Sequence, residues 1–207
     1  MKLKISLVIG VAVMLVAAAC GGGQPEQVAP AIDSTAIKDS IARAEAARRA
    51  YEDSVARARA EEERLRRERE EAARREAAIT AEVRNMLGTM IHFDFDKSAV
   101  RPGTDTDVLQ TKLQLLQANP AVTLEIVGNC DERGSDEYNM ALGMRRATAA
   151  KKWLTDRGIA DSRITVKSMG EENPIDPAHN EDAWAKNRRD EFNLMAGGAK
   201  LVKPAGM

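Results

Sequence analysis

Residues 33–87 contain neither Gly nor Pro and carry 13 acidic and 13 basic side chains set largely among alanines. A run so dense in balanced charge cannot bury a core, and without either breaker one helix can continue through it. Ile37, Ala44, Tyr51, Ala58, Leu65, Ala72, Ile79 and Met86 recur at a spacing of seven. Of the companion positions Ile41, Arg48, Val55, Glu62, Arg69, Glu76 and Val83, only three are apolar. Two readings stay open: a weak coiled-coil seam, or a single solvated helix braced by Glu/Arg pairs four residues apart. Either would extend roughly 80 Å at about 1.5 Å per residue, which suits a spacer better than a site. A globular core must therefore come from the residues C-terminal to this run.

That leaves room in 207 residues for one modest core plus extensions. The 31 basic and 32 acidic residues nearly cancel, so no global field draws nucleic acid, and the arginines of the helical run are matched by acids. Aromatics, at 3%, are too few for a base-stacking surface.

From Gly88 the pattern changes. Ile91-His92-Phe93-Asp94-Phe95-Asp96 alternates apolar and polar residues, predicting a strand with Ile91, Phe93 and Phe95 inward. After Pro102-Gly103, Thr104 or Asp105 can cap a helix bearing Val108, Leu109, Leu113 and Leu116, which stops at Asn119-Pro120. Residues 122–127 predict a second strand. Ser135 caps a long helix with Tyr138, Leu142, Ala149 and Trp153 among its apolar positions, closed by Gly158. Residues 164–169 predict a third strand, a short helix passes through Trp184, and residues 191–195 form a last strand. The expected organisation is a helix over 33–87, a compact domain over 88–196 and a loose tail over 197–207. Strands alternating with helices give an α/β two-layer sandwich, with helices packed on one face of a mixed sheet.

The N-terminus reads as an export signal over residues 1–19: Lys2 and Lys4, a short apolar run, then Ala17-Ala18-Ala19-Cys20. The three alanines suit ordinary signal peptidase. Cys20 followed by Gly21-Gly22-Gly23 resembles a bacterial lipobox, although Ala17 stands where Leu is usual. The second reading makes Cys20 the lipidated first residue of a chain tethered through residues 20–32 and facing the periplasm. Gly21 carries no inner-membrane retention signal, so the outer membrane is the expected address. Cys130 is then left unpaired, a small residue at a strand end.

Catalytic chemistry is thinly represented. Asp94 and Asp96 alternate on one strand, His92 and His179 are the only histidines, no Cys/His spacing suits a metal, and no Gly-rich phosphate loop follows a strand. The chain reads as a binding protein without a cofactor. Gly128-Asn129-Cys130-Asp131-Glu132-Arg133-Gly134 places an acid on the loop that leaves the second strand, where ligands of open α/β sheets collect. Arg146 follows on the next helix. Arg133, Arg145, Arg188 and Arg189 read as solvated or ion-paired surface, and Asn139 as helix-start scaffolding or a ligand hydrogen bond. Spacing alone gives a suggestive salt bridge between Asp131 and Arg146.

Phe93-Asp94-Phe95-Asp96-Lys97-Ser98, Asn119-Pro120, the 128–134 block, Tyr138-Asn139, Leu142-Gly143, Arg145-Arg146-Ala147, Gly158-Ile159, Gly170-Glu171, Pro174 and Asn187-Arg188-Arg189 resemble the OmpA-like peptidoglycan-binding domain family. Asp131-Glu132-Arg133-Gly134 and Leu142-Gly143 are most like the peptidoglycan-associated lipoproteins of the Tol-Pal system. The resemblance implies non-covalent binding of meso-diaminopimelate in the peptidoglycan stem peptide, with Asp131 on its ammonium and Arg146 on its carboxylate. It places Asp96, Asn139 and Arg188 around the same pocket and implies TolB and other Tol proteins as partners. Three departures stand out: Asn129 replaces the usual His, Cys130 replaces Thr or Ala, and Asp190 replaces an apolar residue. Asp190 predicts a frayed or edge position for the last strand.

Overall fold

The computed structural model describes residues 34–206; the signal segment, Cys20 and the 20–32 tether lie outside the described residues. The chain forms two compact units, one ending at Ala58 and one spanning Arg59–Met207. Helix α1, Ser34–Gly88, runs through 55 residues. In the first unit its side chains are almost all exposed, Ile37, Ile41 and Tyr51 included. In the second, Arg64, Arg67 and Arg75 pair with Glu61, Glu63 and Glu71 along the helix surface. No helix among the described residues is long and apolar enough to cross a membrane.

The last turns of α1 depart from the expectation of a coreless helix. Thr80, Val83 and Leu87 are buried, and the two apolar ones join the core of the second unit. Strand β1 is only Ile91–His92, and β2 (Thr123–Asn129), β3 (Ile164–Gly170) and β4 (Arg189–Ala196) complete a four-stranded sheet in the order β1-β4-β2-β3. β2 runs parallel to β3 and antiparallel to β4, which also pairs antiparallel with β1. Helices α2 (Thr104–Ala118) and α3 (Asp136–Thr155) bury Leu109, Leu116, Ala147 and Leu154 with Leu124, Ile126 and Phe192. The short α4 is Glu181–Asn187.

Four local expectations change. The alternating run ends after His92, so Phe95 is exposed rather than inward, and Asp96 takes a left-handed φ of 53°. The N-cap of α2 is Gly103, with no side-chain cap; Asp105 is buried instead, accepting from His92 N. β4 is an interior strand, and Asp190 within it is wholly buried. Register decides this: Asp190 opposes Gly128 on one side and Ile91 on the other. The tail is docked, not loose. Leu201 is buried in the core, its N–H donates to Thr80 Oγ1, and Asn119 exchanges hydrogen bonds with Val202.

The close approach of α3 to β2 positions the site. A Cβ on Gly128 would stand 2.0 Å from Gly143 O, and one on Gly143 would stand 2.3 Å from Ser168 Oγ. Only two glycines let the helix sit this near the strand.

Candidate functional site

At the C-terminal end of β2 the chain enters the loop Cys130–Ser135, and Ser135 starts α3 by accepting from Tyr138 N. A cavity of about 220 Å³ opens there. Asp131 and Arg133 of the loop, Asn139 and Arg146 of α3, and Phe95 and Asp96 of the β1–α2 connection line it. Four of the five binding residues read from sequence therefore share one cavity: Asp131, Arg146, Asp96 and Asn139. Arg188, at the end of α4, reaches the same site through Asp131.

Asp131 and Arg146 are not ion-paired with each other. The Asp131 carboxylate is buried and accepts from Arg188 Nη1 at 3.0 Å, and from Arg133 Nη2 at 2.7 Å and Nε at 3.1 Å. Burial acts to raise its pKa, but the hydrogen bonds from Arg133 and Arg188 outweigh that and hold the carboxyl below its usual range. Arg146 is fully buried. Its Nε donates to Lys97 O at 2.8 Å, Nη1 to Asn129 O at 2.9 Å and Cys130 Sγ at 3.4 Å, and Nη2 to Asp94 O at 3.2 Å. Its guanidinium also lies 5.1 Å from the Phe93 ring. Each of these acceptors is a carbonyl or a thiol, so a buried cation faces the cavity with no carboxylate bonded to it.

The remaining side chains hold these two in place. Asn139 Nδ2 donates to the backbone oxygens of Asp131 and Arg133 and to the Glu171 carboxylate, stapling the loop to the start of α3. The Asp96 carboxylate accepts from the Tyr138 hydroxyl. Cys130 is a free, buried thiol that donates to Asn139 O at 3.3 Å, and burial pushes its pKa up to about 11. It is therefore a neutral wall, not a nucleophile.

The OmpA family matches residues 92–188, the segment that builds this cavity. A curated peptidoglycan-associated lipoprotein of Pasteurella multocida is 41% identical over 99 residues, 48% of this chain and 65% of that protein. Another, from Mesorhizobium japonicum, is 37% identical over 113 residues, 55% of this chain and 67% of its own length. The crystal structure of the peptidoglycan-associated lipoprotein from Burkholderia pseudomallei shares 38% identity with a TM-score of 0.50, covering 51% of this chain and 89% of that one. The chain belongs to the peptidoglycan-associated lipoprotein family. The match spans about two thirds of the length of these curated relatives.

Sequence reasoning left Arg133 on the surface. Its guanidinium instead lies 4.0 Å from the Phe95 ring and 4.1 Å from the Trp184 ring, with Asp131 on its inner side and Glu181 on its outer side. Arg189, also read as surface, is buried and bonded to Glu191, Asn187 O and Asn173 O. The sequence signal for Arg133 was its place two residues after Asp131, which lets its own N–H and side chain close on one carboxylate. Arg145 does remain outside, 5.7 Å from the Tyr138 ring. The Asn129 side chain turns away from the cavity to Val127 O, so this position reaches Arg146 through its backbone oxygen.

Proposed function

We propose that this domain binds peptidoglycan non-covalently by taking the free amino-acid end of meso-diaminopimelate in the stem peptide. The observation that carries this is Arg146: a buried guanidinium on a cavity wall, bonded to carbonyls and a thiol but to no carboxylate. A ligand carboxylate completes it, and charge-assisted contacts to arginine are among the stronger hydrogen bonds available. Asp131, on the same wall and held in place by Arg133 and Arg188, is the acceptor assigned to the ammonium. The two sites of opposite sign do not neutralise each other, which suits a zwitterion better than a simple anion. The names of the relatives, which describe peptidoglycan-associated lipoproteins, support peptidoglycan as the polymer bound.

At the level of the whole chain, the reading is an outer-membrane lipoprotein held by lipid on Cys20, with α1 as spacer and the domain anchoring the membrane to the wall. TolB of the Tol-Pal system is its proposed protein partner. Calorimetry with free meso-diaminopimelate tests the ligand: binding by the wild type, and its loss in Arg146→Ala and Asp131→Ala proteins that keep their circular dichroism, is the expected result. Retention of wild-type affinity by both would overturn the site. A TolB pull-down that fails with and without sacculi would leave an OmpA-like lipoprotein outside the Tol-Pal system.

A further inference from the structure

A second carboxylate lies on the sheet side of Arg146, and nothing among the described residues satisfies it. Asp190 is the second residue of β4, wholly buried, and neither of its oxygens has a hydrogen-bond partner. Unsatisfied buried polar groups are few in folded proteins and expensive, so one beside a binding site calls for a reason.

Register fixes which way it points. Asp190 is the cross-strand partner of Gly128, and opposed residues project from the same face of a sheet. That face is the one on which Gly128 meets Gly143 of α3. Arg146 is about one helical turn beyond Gly143 on the buried side of α3, and its Nη1 is bonded to Asn129 O, next to Gly128. Asp190 and the cavity thus address one guanidinium from different directions. Arg146 is the charge that acts on Asp190 from α3, and Cys130 is the titratable group at the end of β2. Its strand neighbours Ile91 and Gly128 are uncharged. From α2, Lys112 lies over the ring of Phe192 two residues along β4, and the buried Asp105 accepts from His92 N beside Ile91.

With Asp190 protonated, Arg146 feels Asp131 and Arg188 only across the cavity and has no carboxylate bonded to it, and an incoming carboxylate supplies one. With Asp190 ionised, the guanidinium is already neutralised in a medium of low dielectric, and a second anion meets a weaker attraction. We propose that Asp190 is an internal competitor for Arg146, so that capture of a carboxylate ligand from the cavity weakens as Asp190 loses its proton. This rests on the reading that Arg146 holds the ligand's carboxylate. Burial favours the protonated acid while Arg146 opposes it, consistent with the proton being retained in the free protein. The ligand further favours the protonated form. Binding therefore takes up a proton, and affinity falls with rising pH, by at most about tenfold per pH unit for one linked proton.

The test is calorimetric titration of meso-diaminopimelate into wild type, Asp190→Asn and Arg146→Ala between pH 5 and 8, in two buffers of different ionisation heat. The wild type is expected to lose affinity as pH rises and to show proton uptake; Asp190→Asn is expected to lose both the slope and the uptake. Every other titrating group is common to the wild type and Asp190→Asn, so the difference isolates Asp190. Asp190→Ala, uncharged at every pH, provides the same comparison should the amide prove unstable. An unchanged slope and uptake in the variants, or a wild type with neither, overturns the proposal. If instead Arg146→Ala binds as well as wild type at all pH values, it is the assignment of the cavity that fails.

Discussion

Arg188, at the C-terminal end of α4, places Nη1 3.0 Å from Asp131 Oδ2, with both side chains buried. The same guanidinium donates from Nε to Phe93 O and from Nη2 to Glu181. One side chain thus joins the Cys130–Ser135 loop, the segment after β1 and the last helix. Removing one partner of a buried pair costs about 3–5 kcal/mol because the other charge is left uncompensated. Arg133 remains on Asp131, so Arg188→Ala is expected near the lower end, about 3 kcal/mol, by urea unfolding at pH 7. The depressed Asp131 carboxyl contributes stability that is present above its unfolded pKa and is lost as pH falls through the lower folded value. Acid unfolding of the variant is therefore expected to be less steep below about pH 4, where the wild type loses this contribution.

Arg146→Lys is expected to behave like a loss of function despite conserving charge. The guanidinium sends hydrogen bonds to Lys97 O, Asn129 O and Asp94 O, three directions that one ammonium at the end of a flexible stem cannot match. Affinity for meso-diaminopimelate should fall more than about tenfold, the equivalent of about 1.4 kcal/mol. Calorimetry at a single pH, with circular dichroism as control, measures it; near-wild-type affinity would show that charge alone suffices.

The helices and strands from Thr104 onward were legible because their periods are local: Leu109, Leu113 and Leu116 recur at helical spacing, and Ser135 announces α3 through its cap. The cavity was legible in part, since Asp131, Asn139 and Arg146 lie in one loop-helix unit. What was lost depends on partners distant in sequence. Phe95 continues an apolar alternation, yet its ring serves Arg133 at the surface after Asp96 turns the chain. Asp190 suggests an edge strand on polarity alone, whereas pairing with both β1 and β2 places it inside. Leu201, one apolar residue beyond two glycines, carries no periodicity at all.

The glycine contact between β2 and α3 predicts a severe and specific sensitivity. In Gly128→Ala the new methyl group would meet Gly143 O at 2.0 Å, a backbone atom that cannot step aside unless α3 moves. Overpacking in a tight interior costs about 1–3 kcal/mol, and a backbone clash falls at or above the top of that range. Thermal unfolding is expected to show the loss, together with weaker diaminopimelate binding, because Arg146 rides on the displaced helix. Gly88→Ala, where nothing lies within 4 Å of the added group, is the matched control and should change stability little.

Docking of the C-terminal tail predicts that truncation before Ala199 destabilises the domain. Leu201 is 2% exposed and packs in the main core, and its N–H is bonded to Thr80 of α1. Leu201→Ala should cost about 2–5 kcal/mol, the usual range for a buried leucine. A tail that merely trails in solvent would give no change in the urea midpoint, and that result would remove the tail from the folded unit.

Lys112 gives the last prediction its sign. It is fully buried on α2, donates to the Leu87 and Met86 oxygens at the end of α1, and stands 4.0 Å from the centre of the Phe192 ring. Those carbonyls and the ring favour the ammonium, while burial pushes its pKa down to about 7. Above that value the folded protein holds the neutral amine, whereas the unfolded chain keeps its proton until the ordinary lysine range. Between the two, the unfolded state binds more protons, so stability rises with pH. Urea unfolding at pH 7 and pH 9 should show a gain on the order of 2 kcal/mol in the wild type. Lys112→Met, which keeps the apolar stem and removes the titrating group, should flatten the rise. An identical rise in the variant would assign it to other groups and leave Lys112 charged throughout, as a permanent cap on the end of α1.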